Sequence, residues 1–461
     1  MTQEKGTLKK GLTLITVFTL ITGAMVGMAW ATITNVLFEY AGPALILSAI
    51  IAAFFSILIG LCYAELCSAM PFAGGEYHYT NRALGGFASF ITGWFLIIAY
   101  SSMMPAEIII FSKVASTLMP DSWLGEGAIV FGYGFPPLAM IVVGVAVALF
   151  FGIVNYIGIR ISAIAQLIFT LILFGGIAIF VVGSIPEVQL SHITDNFFDK
   201  GMGGMFMMVP ISMLALMGFD IVPQAAEEVK APIRKVVFLI PLSVVFVLVF
   251  YLGVFFVTAG VEVIDGVIPY VTIAESTANV PILPTAEKTL GPTGAYIVII
   301  AGLMGLITTL NAFMVGSSRL MLGMAREGVL PSALGKIHTK YGTPYVGIIA
   351  LTILGIMGSL FPFLLTLFQV ASAAILVAYI LVCISLIVLR KKEPKMKRPY
   401  RVPVYPIIAG VALFGAVLAE LFAIYVLIED KQVLGAVLFF GLTIIGLLYY
   451  FIFARKQEAS Q

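Results

Sequence analysis

Two glycine-containing segments inside apolar runs have the composition to bind a ligand through the backbone itself. Glycine weakens a helix by about 1 kcal/mol relative to alanine, so the main chain can open there and leave amide and carbonyl groups free. Amides at the start of a half-helix attract a carboxylate, and carbonyls at the end of one attract an ammonium group or a cation. A ligand with both groups is an amino acid. The candidate residues are Thr22, Gly23, Ala24, Met25, Val26 and Gly27 in the first segment and Leu216, Met217, Gly218, Phe219 and Asp220 in the second.

The first segment also has a simpler interpretation. Gly23 and Gly27 are four residues apart, a spacing that lets membrane helices pack closely without binding anything. A matching interruption at Gly218 is, however, expected five helices later if the chain consists of two inverted repeats. The positional agreement of the two segments therefore favours ligand binding.

Two carboxyl groups inside apolar runs are further candidates, because a charge in the membrane is costly and marks function by default. Asp220 could cap free amides at the start of a half-helix, which we favour, or hold a substrate amine or titrate. Glu107 follows Pro105 and could carry a proton or attract a cationic side chain. The alternative for Glu107 is a partly solvated position near Lys113.

The composition places these segments in a membrane protein. Of the 461 residues, 61% are hydrophobic and 10% are charged, against roughly 45–50% and about 25% in soluble domains. The three cysteines lie in apolar runs, so we expect neither a disulfide nor a zinc framework. The alternation of a β-barrel is absent from the sequence, and we predict an all-α membrane protein whose surroundings are the lipid bilayer and which binds no nucleic acid.

The uncharged runs predict twelve transmembrane helices. Each needs about 20 apolar residues, and the overlong run 341–389 is divided by a turn signal at 358–362. With the N-terminus inside, 21 of the 25 Lys and Arg residues fall on the cytoplasmic side. This bias predicts a multi-pass protein of the cytoplasmic membrane with both termini cytoplasmic. The basic cluster at 390–401 is interpreted as a topogenic loop, with an anionic-lipid contact as the alternative.

Catalysis is not indicated by any motif. The histidines His78, His192 and His338 are far apart in the sequence, and neither a metal-binding spacing nor a phosphate loop is visible. We therefore expect no enzyme, no catalytic residue, no metal site and no cofactor. A channel would show a pore loop or rings of charged residues, and neither is visible in the sequence. A membrane sensor that does not transport stays open as an alternative, because a transporter fold can lose transport.

Several motifs occur in order along the hydropathy profile: TGAMVG at 22–27, YAEL at 63–66 with MPFAGGEY at 70–77, GFD at 218–220 with EEVKAP at 227–232, NAFMVGSSR at 311–319 with MAREGVLP at 324–331, and RPYRVP at 398–403. Together they make the chain resemble bacterial amino acid permeases of the amino acid, polyamine and organocation (APC) transporter superfamily. The resemblance implies a secondary active transporter that works by alternating access.

The resemblance also implies a division of the chain and a mode of binding. Five-helix inverted repeats would occupy 1–183 and 184–390, with helices 1 and 6 discontinuous, and the basic loop and helices 11 and 12 would follow at 391–461. The substrate carboxylate would meet the backbone at 24–27. Its ammonium group would meet carbonyls near Thr22 and at 216–218. Phe219 would close over the ligand, although a packing aromatic is the alternative.

The coupling ion is left open between sodium and a proton. Some proton-coupled relatives carry a lysine in helix five at a position that aligns with Leu173 here. Its absence leaves sodium coupling, exchange without an ion, or a proton carried elsewhere. Thr308 and Thr309 in helix eight could supply oxygens to sodium, although membrane threonines usually bond their own helix.

The substrate is expected to be an amino acid or a related amine. Small neutral side chains are favoured because Met25, Val26, Met28 and Trp30 leave little polar lining, whereas Asp220 and Glu107 keep cationic amino acids and polyamines open. Outside this site, we expect Glu420 at an interface or at the contact of a possible homodimer. A network at the cytoplasmic level would form an inner gate from Glu65, Glu227, Glu228 and Arg319.

Overall fold

A computed structural model gives the fold of residues 8–119, 128–130, 133–358, 360, 363–429 and 433–455. Apolar stretches form helices here because a helix satisfies its backbone hydrogen bonds within one segment. The α-helices before residue 185 are α1 Leu14–Met25, α2 Ala29–Thr32, α3 Thr34–Ala41, α4 Leu45–Ala69, α5 Gly75–Leu84, α6 Gly86–Ser116, α7 Leu138–Ile157 and α8 Ile159–Ser184.

The later α-helices are α9 Leu190–Thr194, α10 Gly201–Ala215, α11 Ile221–Gln224, α12 Ile233–Gly260, α13 Pro269–Ala274, α14 Leu283–Leu290, α15 Pro292–Arg326, α16 Tyr345–Gly358, α17 Leu364–Lys392, α18 Ile407–Glu429 and α19 Leu434–Tyr449, which continues as a π-helix over Tyr450–Ala454. Short 3₁₀ turns occupy Gly42–Ala44, Ile185–Glu187, Ala226–Glu228 and Ser332–Gly335. A small hairpin pairs β1 Ala128–Val130 antiparallel with β2 Tyr133–Phe135, with Ile129 opposite Gly134. The remaining described residues form turns and loops between these elements.

Ten helical segments of the described chain are long and apolar enough to cross a membrane, and two further apolar helices, α10 and α16, are shorter. These two correspond to predicted spans six and nine. The α10 helix is short because it ends at Ala215, where the second glycine segment begins. In the turn predicted at 358–362, residues 359, 361 and 362 lie outside the described part of the chain.

The first broken helix lies at the centre of the bundle. The α1 helix packs against α8, α12 and α15, while α6 packs against α15 and α17 and α4 packs against α12. Thr13 begins α1 with a capping box, because its hydroxyl accepts from the Thr16 amide and its own amide donates to the Thr16 hydroxyl. We call the end of the bundle where α1 begins the N-terminal end and the opposite end the far end.

Candidate functional site

The helix that begins at Leu14 breaks at Val26, Gly27 and Met28, so the opening predicted at 22–27 lies later than expected. Thr22 to Met25 stay helical, and the Val26 amide donates to the Thr22 carbonyl at 3.2 Å. Side chains of α8 and α15 surround Gly23, which lies within the helix. At the break itself, the Trp30 indole donates to the Gly27 carbonyl at 3.0 Å, which satisfies one of the backbone groups that the opening frees.

The second break covers 216–220, as the sequence predicts, and it lies directly against the first. Gly218 has a φ of +133°, a region that favours glycine. A Cβ on Gly218 would come within 2.7 Å of the Ala24 Cβ and 3.0 Å of the Met25 amide nitrogen. The close approach of the two broken helices therefore requires glycine at this position.

Tyr251 of α12 joins the carbonyl ends of the two half-helices. Its hydroxyl lies 3.1 Å from the Met25 carbonyl oxygen and 3.4 Å from that of Ala215, the last residue of α10. Both carbonyls lie at helix C-termini, which carry partial negative charge. The site therefore presents two converging negative helix ends with one hydroxyl donor between them.

Carbonyl oxygens earlier in α1 accept from side chains of α8 and α15. Thr308 and Thr309 each donate to the Gly23 carbonyl at 3.0 Å, and Thr308 also donates to the carbonyl of Gly305 in its own helix. Gln166 and Thr170 each reach the Thr19 carbonyl at 3.3 Å. The two threonines thus meet the broken helix as well as their own backbone.

The α8 side chain nearest Gly23 is that of Gln166, whereas Leu173 is the position that aligns with the lysine of some proton-coupled relatives. A Cβ on Gly23 would lie 2.3 Å from the Gln166 amide nitrogen, and Leu173 is not among its nearest neighbours. Gln166 and Thr170 are one helical turn apart and share the face that meets α1. The neutral Gln166 amide accepts from Asn311 of α15 at 2.9 Å, so helices α1, α8 and α15 are linked by uncharged groups.

Asp220 binds an amide within the break instead of capping the helix that follows. It is the N-cap residue of α11, but its side chain makes no hydrogen bond to that helix. One carboxylate oxygen accepts from the Gly218 amide at 2.9 Å and from the Tyr379 hydroxyl at 3.2 Å, and the other accepts from Tyr100. The expected capping of free amides thus acts upstream of Asp220.

Phe219 and Asp220 lie outside the cavity beside the breaks. Phe219 is fully buried, stacks on Tyr379 with ring centroids 5.3 Å apart, and meets Tyr63 edge-on. The structure therefore places Phe219 in an aromatic cluster, and its role as a gate stays a prediction.

Beside the breaks is a mainly apolar cavity with one carboxyl group. Four of the predicted binding residues line it, namely Ala24, Met25, Gly27 and Leu216, and so do Thr309 and Glu107. Much of the rest of its wall is aliphatic or aromatic, as at Trp30, Ile211, Phe255 and Phe313. The cavity can accept an apolar group next to the broken helix ends.

Glu107 is buried against the first break. Its side chain is 2% exposed, and a Cβ on Gly27 would lie 2.6 Å from its Oε1 atom. Its Oε2 atom has no hydrogen-bond partner among the described residues. The broken helix therefore covers Glu107, and the alternative of a partly solvated position near Lys113 has no support from its exposure.

The expected inner-gate residues lie at the N-terminal end but form separate ion pairs. Arg319 meets Glu228 at 2.7 Å, and both side chains are buried. Glu227 pairs with Arg326 at 3.3 Å. Glu65 pairs with two arginines of the basic cluster, Arg390 at 2.6 Å and Arg398 at 3.0 Å.

A more exposed ion pair also lies at this end. Arg82 donates to both carboxylate oxygens of Glu393. This hydrogen bonding holds the pKa of Glu393 below its usual value. The N-terminal end thus combines buried and exposed pairs of the same chemistry.

Sequence reasoning missed the tyrosines Tyr100, Tyr251 and Tyr379. Each lies in an apolar run, where it resembles a core aromatic, yet each hydroxyl is used at the breaks. A buried tyrosine hydroxyl usually needs a partner, so a tyrosine far from the ends of a membrane helix was the available signal.

Comparison with known proteins gives consistent relatives. The model of a family described as amino acid permease matches residues 12–449. The chain is 30% identical over 451 residues to the branched-chain amino acid permease BcaP of Bacillus subtilis, covering 95% of this chain and 91% of that protein. It is 28% identical to the methylthioribose transporter of the same organism, with the same coverage. It is 29% identical to the mitochondrial cationic amino acid transporter 3 of Arabidopsis thaliana, covering 85% of this chain and 64% of that protein.

Proposed function

Because the chain belongs to the amino acid permease family, we propose that it is a secondary active transporter that carries small neutral amino acids across the cytoplasmic membrane by alternating access. The observation that carries this proposal is the meeting of two half-helix ends, at Met25 and Ala215, beside a mainly apolar cavity. The substrate ammonium group would bind at these negative ends, and its carboxylate would bind the backbone at 24–27. The ligand would shift the equilibrium between the outward and inward states by binding the two states with different affinity.

The apolar wall favours an aliphatic substrate side chain. Ile211, Phe255 and Phe313 offer no hydrogen-bond partner from their side chains, so a polar substrate side chain that met this part of the wall would lose its water without compensation. The branched-chain permease among the relatives supports the same direction. Within the neutral amino acids we therefore favour valine, leucine and isoleucine.

Glu107 supports a second candidate, the transport of cationic amino acids or polyamines. Its carboxyl group lines the cavity, and it forms no ion pair with a basic side chain in the described part of the chain. A substrate ammonium group could become its partner. The cationic amino acid transporter among the relatives supports this candidate.

Counterflow into proteoliposomes tests the assignment without requiring a coupling ion. Proteoliposomes that contain the purified protein are loaded with one unlabelled substrate at a time. The uptake of labelled leucine, alanine, lysine and putrescine is then compared. We expect leucine and alanine to exceed lysine and putrescine, and we expect Glu107→Gln to preserve that order. Preferred uptake of lysine that falls about tenfold or more in Glu107→Gln would instead support the cationic candidate. If folded protein transports no compound in the panel, the alternative of a membrane sensor that does not transport would be favoured.

The membrane arrangement and the coupling are part of the proposal. We propose twelve spans with both termini cytoplasmic, two inverted five-helix repeats at 1–183 and 184–390, and two final helices. The proposal includes a homodimer. Glu420, which was expected at an interface or at a subunit contact, is buried within the chain, so it does not mark the surface of that dimer. The coupling ion is sodium at Thr308 and Thr309, which already meet the Gly23 carbonyl, or a proton on a carboxyl group.

A further inference from the structure

A buried carboxyl group and a buried carboxamide face each other on the N-terminal side of the second break. The Gln224 amide nitrogen of α11 donates to the Oε2 atom of Glu76 in α5. Both side chains are fully buried. Two atoms of this pair, Glu76 Oε1 and Gln224 Oε1, have no hydrogen-bond partner among the described residues. Both are acceptors unless one carries a proton.

One proton satisfies both atoms. A carboxylate can accept from the Gln224 amide but leaves the Gln224 carbonyl oxygen unpaired. A carboxylic acid accepts through Oε2 and carries a hydroxyl at Oε1, which is the kind of donor that the Gln224 carbonyl oxygen lacks. Leaving a charged carboxylate buried without a cation costs several kcal/mol. The neutral acid is therefore the form of Glu76 that this arrangement accommodates.

The neighbouring groups supply no positive charge to replace that proton. Glu65 and Glu228, which are also buried, each pair with arginine, whereas Glu76 makes no such pair with any described residue. Asp220 lies one helical turn before Gln224 and already has three donors, so its charge is the better stabilised of the two. The titratable groups that interact with Glu76 are Asp220, Tyr63, Cys67, Tyr79, Tyr100 and Tyr379.

The contact between α5 and α11 holds the pair together. A Cβ on Gly75 would come within 2.4 Å of the Pro223 Cβ, so the two backbones approach closely beside Glu76 and Gln224. The four-residue helix α11 directly follows the second break, which makes it an element able to move relative to α5. Separation of α11 from α5 would remove Gln224 from Glu76 and expose the acid to water, where it ionises.

We propose that Glu76 is a proton-binding site, with Gln224 as its partner, which holds a proton while α11 packs on α5 and releases it when the N-terminal end opens. The proton leaves the Glu76 carboxyl oxygen as the hydrogen bond to Gln224 breaks, and water accepts it. This proposal rests on the proposed transport of amino acids. In that transport, the proton released from Glu76 would be the coupling ion.

Proteoliposomes separate coupling from transport. Leucine counterflow is measured without a gradient, and leucine accumulation is measured under an inward gradient of one pH unit, which sustains about tenfold accumulation at one proton per substrate. The variant Glu76→Gln keeps an amide that can pair with Gln224 but carries no titratable proton. We expect it to retain counterflow within about threefold and to lose all pH-driven accumulation. Glu76→Asp, which keeps the carboxyl group, should retain accumulation.

Glu420→Gln is the matched control, because Glu420 is another buried glutamate with an oxygen that has no partner among the described residues, but it lies in α18 and not in a broken helix. It should accumulate leucine like the wild type. Accumulation by Glu76→Gln equal to that of the wild type would overturn the proton site. So would its loss of counterflow in protein that elutes and unfolds like the wild type, since Glu76 would then be required for transport itself and not only for proton coupling. Wild-type protein without counterflow for any amino acid would instead overturn the proposed transport.

Discussion

At the scale of single residues, the Tyr251 hydroxyl is placed to hold the two half-helices in register. It lies within hydrogen-bond distance of the Met25 and Ala215 carbonyls, whose partial charges repel each other at adjoining helix ends. Without this hydroxyl, the two carbonyl oxygens lose their hydrogen-bond donor. The geometry that a substrate ammonium group would meet then becomes looser. This single oxygen atom therefore contributes to the site without belonging to either broken helix.

We predict that Tyr251→Phe weakens substrate binding by about fivefold, which corresponds to a lost hydrogen bond of about 1 kcal/mol. Binding of labelled leucine to the purified protein measures this change. Tyr270→Phe is the control, because Tyr270 also donates from a buried ring but to Asp199 at the far end. Equal affinity in Tyr251→Phe and the wild type would contradict a role for the hydroxyl at the site.

The sequence predicts the residues of the breaks better than their partners. Gly218 and its neighbours were predictable because a break is a local property of glycine and of nearby polar groups. Tyr251 and Gln166 were not, because each lies on a regular helix far away in the chain and reaches the break only through packing. Glu76 was visible only as part of a motif, and its pairing with Gln224 depends on how α5 meets α11.

At the scale of elements, the N-terminal segment, the segment after α11 and the end of α15 are tied together. The amides of Gly11 and Leu12 donate to the Glu228 carbonyl, and the Lys230 amide donates to that of Leu12. The Glu228 side chain is paired with Arg319 in the same place. One residue thus connects three elements through its backbone and its carboxylate, and separating them would require breaking a buried ion pair.

We predict that Arg319→Ala destabilises the protein by about 3–5 kcal/mol, because it leaves the Glu228 carboxylate buried without a cation. Arg82→Ala is the matched control, since the Arg82 side chain is 50% exposed in its pair with Glu393, and exposed pairs contribute little. Thermal unfolding in detergent, followed by size-exclusion chromatography, compares the two. Similar unfolding midpoints for Arg319→Ala and Arg82→Ala would contradict the prediction that the buried ion pair contributes more to stability than the exposed one.

The helices themselves were largely predictable, since hydropathy depends on length and composition. Spans six and nine are shorter in the structure than the sequence predicts, because α10 ends at its break and α16 has only 14 residues. The inner-gate network was only partly predictable. Its four residues do lie at one end of the bundle, but the sequence could not indicate that Glu65 pairs with Arg390 and Arg398 of the basic cluster.

At the scale of the whole molecule, the distribution of charge is consistent with one orientation in the membrane. The N-terminal end carries the ion pairs that involve Arg82, Arg319, Arg326 and Arg390, while Asp199 lies at the far end, bonded to Tyr270. Basic residues near membrane helices are retained in the cytoplasm. The proton site proposed at Glu76 depends on this orientation, because the proton has to be released on the cytoplasmic side.

We predict that Ser332→Cys, at the N-terminal end, is protected from a membrane-impermeant maleimide in intact cells, and that Thr277→Cys, at the far end, reacts. Both positions are exposed, so access depends on the membrane and not on burial. The native cysteines Cys62, Cys67 and Cys383 are buried and should contribute little background. Permeabilising the cells should make Ser332→Cys react as fast as Thr277→Cys. Labelling of Ser332→Cys alone in intact cells would reverse the orientation and would place the Glu76 proton site on the outer side of the breaks.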